Sequence, residues 1–267
     1  MNRKNLFFVI ALCVFAITAE AAPKLLKVYA GNLRVNFDPA RECSPIDVYW
    51  NERPMITGIF GPYLSYSEPS PGFVGAGRKF KEFKETLENF TVKIDGKPVD
   101  WKTAPKLAGE SAECERVTQM RDFKVVYVIR LEGDKMTEEV TFTPSAEVTL
   151  MNMYHAHPWN KRFAEYVTVN QKDVKTAGKV THAKKIVYNG HSVAMVFCDP
   201  AGEDAAVIRG ERSDKAVPTR FIQDNWNAPS ECLIVSGKRT IPANTALSYK
   251  NEITFLKAGS AEAALSK

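Results

Sequence analysis

The sequence predicts an all-β chain, a large antiparallel β-sandwich with few and short helices. Three observations predict it. Runs of five to ten residues alternate apolar and polar side chains, the period of a half-buried strand. Gly, Pro, Asn and Asp punctuate those runs at intervals of about 8 to 15 residues, the spacing of sandwiches and barrels. Stretches with helical periodicity are scarce. The composition fits a core-forming globular chain, with 45% apolar and 25% charged residues.

The first segment, residues 1–21, reads as a secretory signal. A basic MNRKN precedes the apolar LFFVIALCVFAIT, and Ala19-Glu20-Ala21 supplies an A-x-A cleavage site. The apolar run falls short of the roughly 20 residues that span a bilayer. The expected product is therefore a single domain, residues 22–267, secreted or periplasmic, with no membrane contact after cleavage. A net charge of +5 is a mild excess and does not call for nucleic acid as a partner. Four cysteines remain, Cys43, Cys114, Cys198 and Cys232. Their spacing contains no C-x-x-C. Two disulfides in any of three pairings, or four buried thiols, are both open.

Strands follow in order. NLRVNFDP sets Leu33, Val35 and Phe37 against polar neighbours, and IDVYW and PMITGIF come next, with Trp50-Asn51-Glu52-Arg53 as a hairpin tip. The stretch GRKFKEFKETLENF spaces Phe80, Phe83, Leu87 and Phe90 as one face of a short amphipathic helix. FTVKIDGKPVDW is a hairpin about Asp95-Gly96, and FKVVYVIRLEGDKMTEEVTFTP a longer one about Gly133-Asp134. VTLMNMYHAHPW continues the alternation, with Val148, Leu150 and Asn152 on one face. AEYVTVN, KKIVYN, SVAMVFCD, AAVIRG, ECLIVSGKRTIP and ALSYKNEITFLK complete the set, and the tail from about residue 258 is expected to fray.

Candidate chemistry concentrates in Asn152–Phe163, NMYHAHPWNKRF. His155 and His157 are two residues apart and share one face of a strand. Pro158 ends strand pairing and sends Trp159, Asn160 and Arg162 into a turn or edge. Three functions compete with a plain packing role, in which the histidines are solvated or satisfied at a strand end and Trp159 sits in the core. The histidines with Tyr154 could transfer protons, as in a lyase acting beside a uronate carboxyl, with Arg162 gripping that carboxylate. They could hold a metal. A cupin-like pattern wants a glutamate about five residues after His157, however, and Arg162 stands there, so no metal or cofactor is expected. Or the cluster recognises sugar without turnover: Tyr154 and Trp159 offer flat faces, and Asn152 and Asn160 offer hydrogen bonds. Asp224 and Trp226, in QDNWNAPSE, form a second candidate sugar contact.

The pieces together resemble the galactose mutarotase-like "supersandwich" superfamily. GNLRVNFDPARECSPIDVYWNERPMITG is similar to its opening strand and hairpin, EEVTFTPSAEVTLMNMYHAHPWN to its long strands ending in an Asn/His cluster, and RTIPANTALSYKNEITFLK to its closing segment. The resemblance implies a carbohydrate as partner. The basic stretches Arg78–Lys84 and KDVKTAGKVTHAKK read as solvated faces, and their convergence would favour an acidic polysaccharide. Neither histidine stands in the register of the family's motif. The family's catalytic glutamate follows a strand resembling CLE, and Cys232-Leu233-Ile234 has no acid there. The expected function is carbohydrate binding or processing outside the cytoplasm. The alternatives are a non-enzymatic extracellular interaction protein, a Tyr/His polysaccharide lyase-like enzyme and a cupin-like metalloenzyme.

Overall fold

The computed structural model describes residues 25–66, 72–75, 77, 79–80, 83–181, 184–224 and 229–266. The signal segment and Trp226 lie outside them. No helix among the described residues is long and apolar enough to cross a membrane.

Three sheets are built from the alternating runs. A five-stranded sheet runs Lys106–Gly109, Leu26–Ala30, Leu33–Asp38, Ser44–Trp50, Arg53–Thr57. An eleven-stranded sheet has the long strands Ser111–Met120, Phe123–Glu132, Lys135–Pro144 and Leu247–Lys257 at its centre. A seven-stranded sheet places Val148–Pro158 between Gly61–Tyr66 and Pro229–Ser236. Among the described residues pairing is antiparallel except between Leu26–Ala30 and Lys106–Gly109. The eleven- and seven-stranded sheets pack face to face over a shared core. Phe142, Tyr249 and Phe255 from one side, and Leu150, Met153 and Leu233 from the other, are fully buried.

The hairpins form where the sequence places them. Ile94 pairs with Lys97 across Asp95-Gly96, and Glu132 with Lys135 across Gly133-Asp134. Trp50 pairs with Arg53 across Asn51-Glu52, both at positive φ. The last two turns are tied together: Asp134 Oδ1 accepts from Trp50 Nε1 at 2.7 Å and from Asn32 Nδ2 at 2.8 Å. Gly31 makes that approach possible, since a Cβ there would meet the Gly133 backbone at 3.2 Å.

Two expectations are corrected. The predicted helix is the start of a strand, Phe83–Ile94. Its register against Ser111–Met120 slips between Leu87 and Asn89, so Glu88 is the extra residue of a bulge. The bulge turns an inward period of two into a step of three, from Leu87 to Phe90, and that step imitates a helix. The tail does not fray either. Ser260 Oγ caps a short helix, Ala261–Leu265, whose Ala261 and Ala264 pack with Val196, Cys198, Ala205 and Val207. The four cysteines among the described residues are free and buried, and desolvation pushes the Cys43 and Cys198 thiols up to about 11.

Replacing Ala264 by Glu should release that helix by burying an unpaired charge. Hydrogen exchange at residues 261–265 should rise to the rate of an open chain while the central strands keep their protection.

Candidate functional site

The bulge that moves Phe90 has a counterpart in Val148–Pro158. Its register against Gly61–Tyr66 slips between Leu150 and Asn152. Val148 and Leu150 face the core, and then Met153, His155 and His157 do. Asn152 therefore joins Tyr154 on the outer face, opposite to the alternation read from the sequence. His155 and His157 share a face as expected, but that face is the sealed interior, where neither has exposed surface.

Inside, the two imidazoles meet a carboxylate from the opposite sheet. Glu138 Oε1 lies 3.0 Å from His155 Nε2, and Glu138 Oε2 lies 2.7 Å from His157 Nε2. The two Nε2 atoms are 3.1 Å apart. Tyr127 donates its hydroxyl to Glu138 Oε1, and the Tyr249 hydroxyl bonds His155 Nδ1. His157 Nδ1 donates to Glu231 Oε2 at 2.7 Å. Arg220 caps the chain, pairing with Glu231 and donating to Asn251 Oδ1 at 3.2 Å. Gly210 leaves room for that guanidinium, because a Cβ there would sit 2.3 Å from Arg220 Nη2.

The charges in this network balance locally. Burial raises the Glu138 carboxyl, but the two imidazoles outweigh it and hold the group well below the usual carboxylate range. Burial lowers His157, but Glu138 and Glu231 on its two nitrogens push it up to about 9. His155 moves down, through burial and the neighbouring imidazole, against the pull of Glu138. Arg220 and His157 keep Glu231 ionised in spite of its burial. At neutral pH two carboxylates thus face one guanidinium and one imidazolium.

The other predicted residues divide between structure and surface. Trp159 is no sugar platform: it is fully buried, stacked on Phe197 at 5.2 Å and edge-on to Phe163 at 5.6 Å. Asn160 closes a turn, its Oδ1 accepting from Arg162 N and its own N–H donating to Met55 O. Arg162 does not offer itself to a uronate. It bridges Asp199 and Asp204 and donates to Pro54 O at 3.0 Å. Arg53 and Lys257 join the same Asp204 carboxylate. Asp224 is buried and accepts from Thr181 N at 2.8 Å. Tyr154 is half-buried on the outer face and stacks on Tyr63, ring centroids 5.6 Å apart. Tyr154 and the histidines therefore cannot act on one substrate bond.

The sequence reading missed Glu138, Tyr127, Tyr249, Arg220 and Glu231. Glu138 had a readable signal, since Met136, Glu138, Val140 and Phe142 alternate inward along one strand. Glu231 stands immediately before Cys232, whereas the family's pattern points to the position after Leu233.

No protein-family model matches the chain, and no curated protein matches its sequence. Solved structures do match in fold. A putative aldose 1-epimerase from Escherichia coli K12 superposes with a TM-score of 0.52 at 10% identity, covering 88% of this chain and 99% of that one. A protein from Synechocystis sp. PCC 6803 gives 0.52 at 7%, over 88% and 96%. An α-galactosidase of Geobacillus stearothermophilus gives 0.55 at 8%, covering 88% of this chain and 41% of the enzyme. The chain thus has the sandwich of the aldose 1-epimerase type, and these identities speak to the fold alone.

Two stability predictions follow from the geometry. Glu138→Ala leaves the buried Nε2 sides of both histidines and the Tyr127 hydroxyl without their shared carboxylate and should cost about 3–5 kcal/mol in urea unfolding, while Tyr154→Ala should cost about 1 kcal/mol or less. Asp204 is held below its ordinary pKa, its burial outweighed by Lys257, Arg162 and Arg53. A depressed carboxyl stabilises above its unfolded value and loses that contribution as pH falls through the folded one. Acidification below about pH 4 should therefore destabilise the wild type more steeply than Asp204→Asn, which at neutral pH should already be about 1–3 kcal/mol weaker.

Proposed function

We propose that this chain is an extracytoplasmic carbohydrate-recognition protein that meets its sugar on the outer face of the seven-stranded sheet. The observation behind the reading is the division of one strand. Its inward residues are consumed by the core network, while Asn152 and Tyr154 face outward. On the same face Tyr154 rests on the buried Tyr63, and half-buried Thr219 and Phe221 and exposed Gln223 follow on a nearby strand.

This surface has the chemistry that saccharides select. Aromatic rings take the apolar C–H face of a pyranose, and amide and hydroxyl groups pair with its hydroxyls. The fold supports the reading by analogy, since its structural neighbours include a putative aldose 1-epimerase and an α-galactosidase solved with raffinose. The A-x-A signal supports placement outside the cytoplasm. An acidic polysaccharide loses its best argument with Arg162 neutralised by two aspartates.

A glycan array with the mature chain tests this. Wild type should retain a defined glycan class, and Tyr154→Ala should weaken it about 3- to 10-fold, the worth of one aromatic stack, with Lys93→Ala on the other sheet as the unchanged control. Absence of retention, or equal binding by Tyr154→Ala, would overturn the proposal and favour a non-enzymatic interaction protein.

A further inference from the structure

Three ligands converge inside the sandwich: the carboxylate of Glu138 and the Nε2 atoms of His155 and His157. The gaps among them across the sheets and between the rings are 3.0, 2.7 and 3.1 Å, so a single cation between the three side chains would lie within reach of all of them. Bond lengths of about 2.0–2.1 Å to a tetrahedral ion would set neighbouring donors about 3.3–3.4 Å apart. The side chains need to part by only a few tenths of an ångström.

The surrounding bonds are those that such a centre requires. Each imidazole is engaged at its far nitrogen, His155 by the Tyr249 hydroxyl and His157 by Glu231, which Arg220 holds in turn. That holds both rings with Nε2 pointing inward, the placement a metal ligand needs. Two imidazoles with a carboxylate suit zinc-type ions, whereas magnesium and calcium prefer oxygen alone. Glu138 and both histidines have no exposed surface. The three side chains leave a fourth position of a tetrahedral ion unassigned, and their burial, not a filled coordination shell, keeps a substrate from it.

We infer that Glu138, His155 and His157 form a buried structural site for one zinc-type divalent ion that staples the eleven-stranded sheet to the seven-stranded sheet. Binding displaces the proton from each Nε2 that carries one, and these protons leave to solvent. The site lies on the opposite face of the strand from Tyr154, so it stands independently of the proposed sugar surface.

The test uses the full chain, purified without chelator from zinc-supplemented culture. Elemental analysis should find about one zinc per chain. Chelator should lower the Tm of the wild type, and zinc should restore it. Cobalt added to the stripped protein should give the visible ligand-field bands of a tetrahedral site. Glu138→Gln should lose stoichiometric binding and the chelator effect. Glu231→Gln, which keeps all three ligands, should bind cobalt about 10- to 100-fold more weakly, and Tyr154→Ala should bind like wild type. The inference is overturned if folded wild type holds far less than one ion and its Tm ignores zinc. Equal cobalt spectra and affinity in wild type and Glu231→Gln would overturn it too, an outcome readable even where Glu138→Gln does not fold.

Discussion

The Glu138 carboxylate is the constraint around which the sandwich is arranged. An ionised carboxylate taken out of water costs several kcal/mol unless its oxygens are matched, and Glu138 is fully buried. Tyr127 comes from its own sheet, and the two imidazoles come from the facing one. Apolar side chains alone would tolerate some sliding between the sheets. A carboxylate that must meet two ring nitrogens at hydrogen-bond distance would not, so the network fixes how the sheets are offset. The same demand then spreads outward: His157 needs Glu231, Glu231 needs Arg220, and Arg220 needs the space that Gly210 leaves.

A second buried pair repeats this logic at another seam. Arg116 Nη1 and Thr118 Oγ1 meet Glu85 Oε1 at 2.6 and 2.8 Å, while the same guanidinium donates to Ser44 Oγ and Glu42 O. This joins the eleven-stranded sheet to the five-stranded one. The Arg162–Asp204 cluster does similar work near the rim, where Arg53 and Lys257 remain 39% and 52% exposed. Solvent screens that cluster more than the other two, so it adds less per contact. The interior pairs define geometry, and the rim cluster reinforces it.

The strands, their alternation and the Asp95-Gly96 and Gly133-Asp134 hairpins were legible because they depend on local preference: period-two burial and backbone turns that few residues adopt. The shared face of His155 and His157 followed from the same period. Which face was not legible, because a bulge resets parity without changing residue type. Glu88 and Met151 are ordinary strand residues, and only the partner strand's register shows that each is the extra one. Trp159 and Arg162 misled for a related reason. Their chemistry suits a sugar or a uronate equally well as it suits Phe197 and Asp204, and those partners lie 38 to 42 positions away. Glu138 was readable as an inward residue, but its meeting with the histidines depends on how two sheets stack.

These placements also explain why likeness of fold is a poor guide to chemistry here. An enzyme that worked through the histidine pair would need those rings at a solvent-facing surface, with a carboxylate free to exchange protons with a substrate. Here the rings, Glu138 and Glu231 all lack exposed surface, and every ring nitrogen already has a protein partner. One strand has been divided between two tasks. Its inner residues make the polar joint that sets the sandwich, and its outer residues are released to face whatever the protein meets. Substitutions at Asn152 or Tyr154 can therefore alter recognition without disturbing the joint, whereas any change at His155 or His157 acts first on the fold.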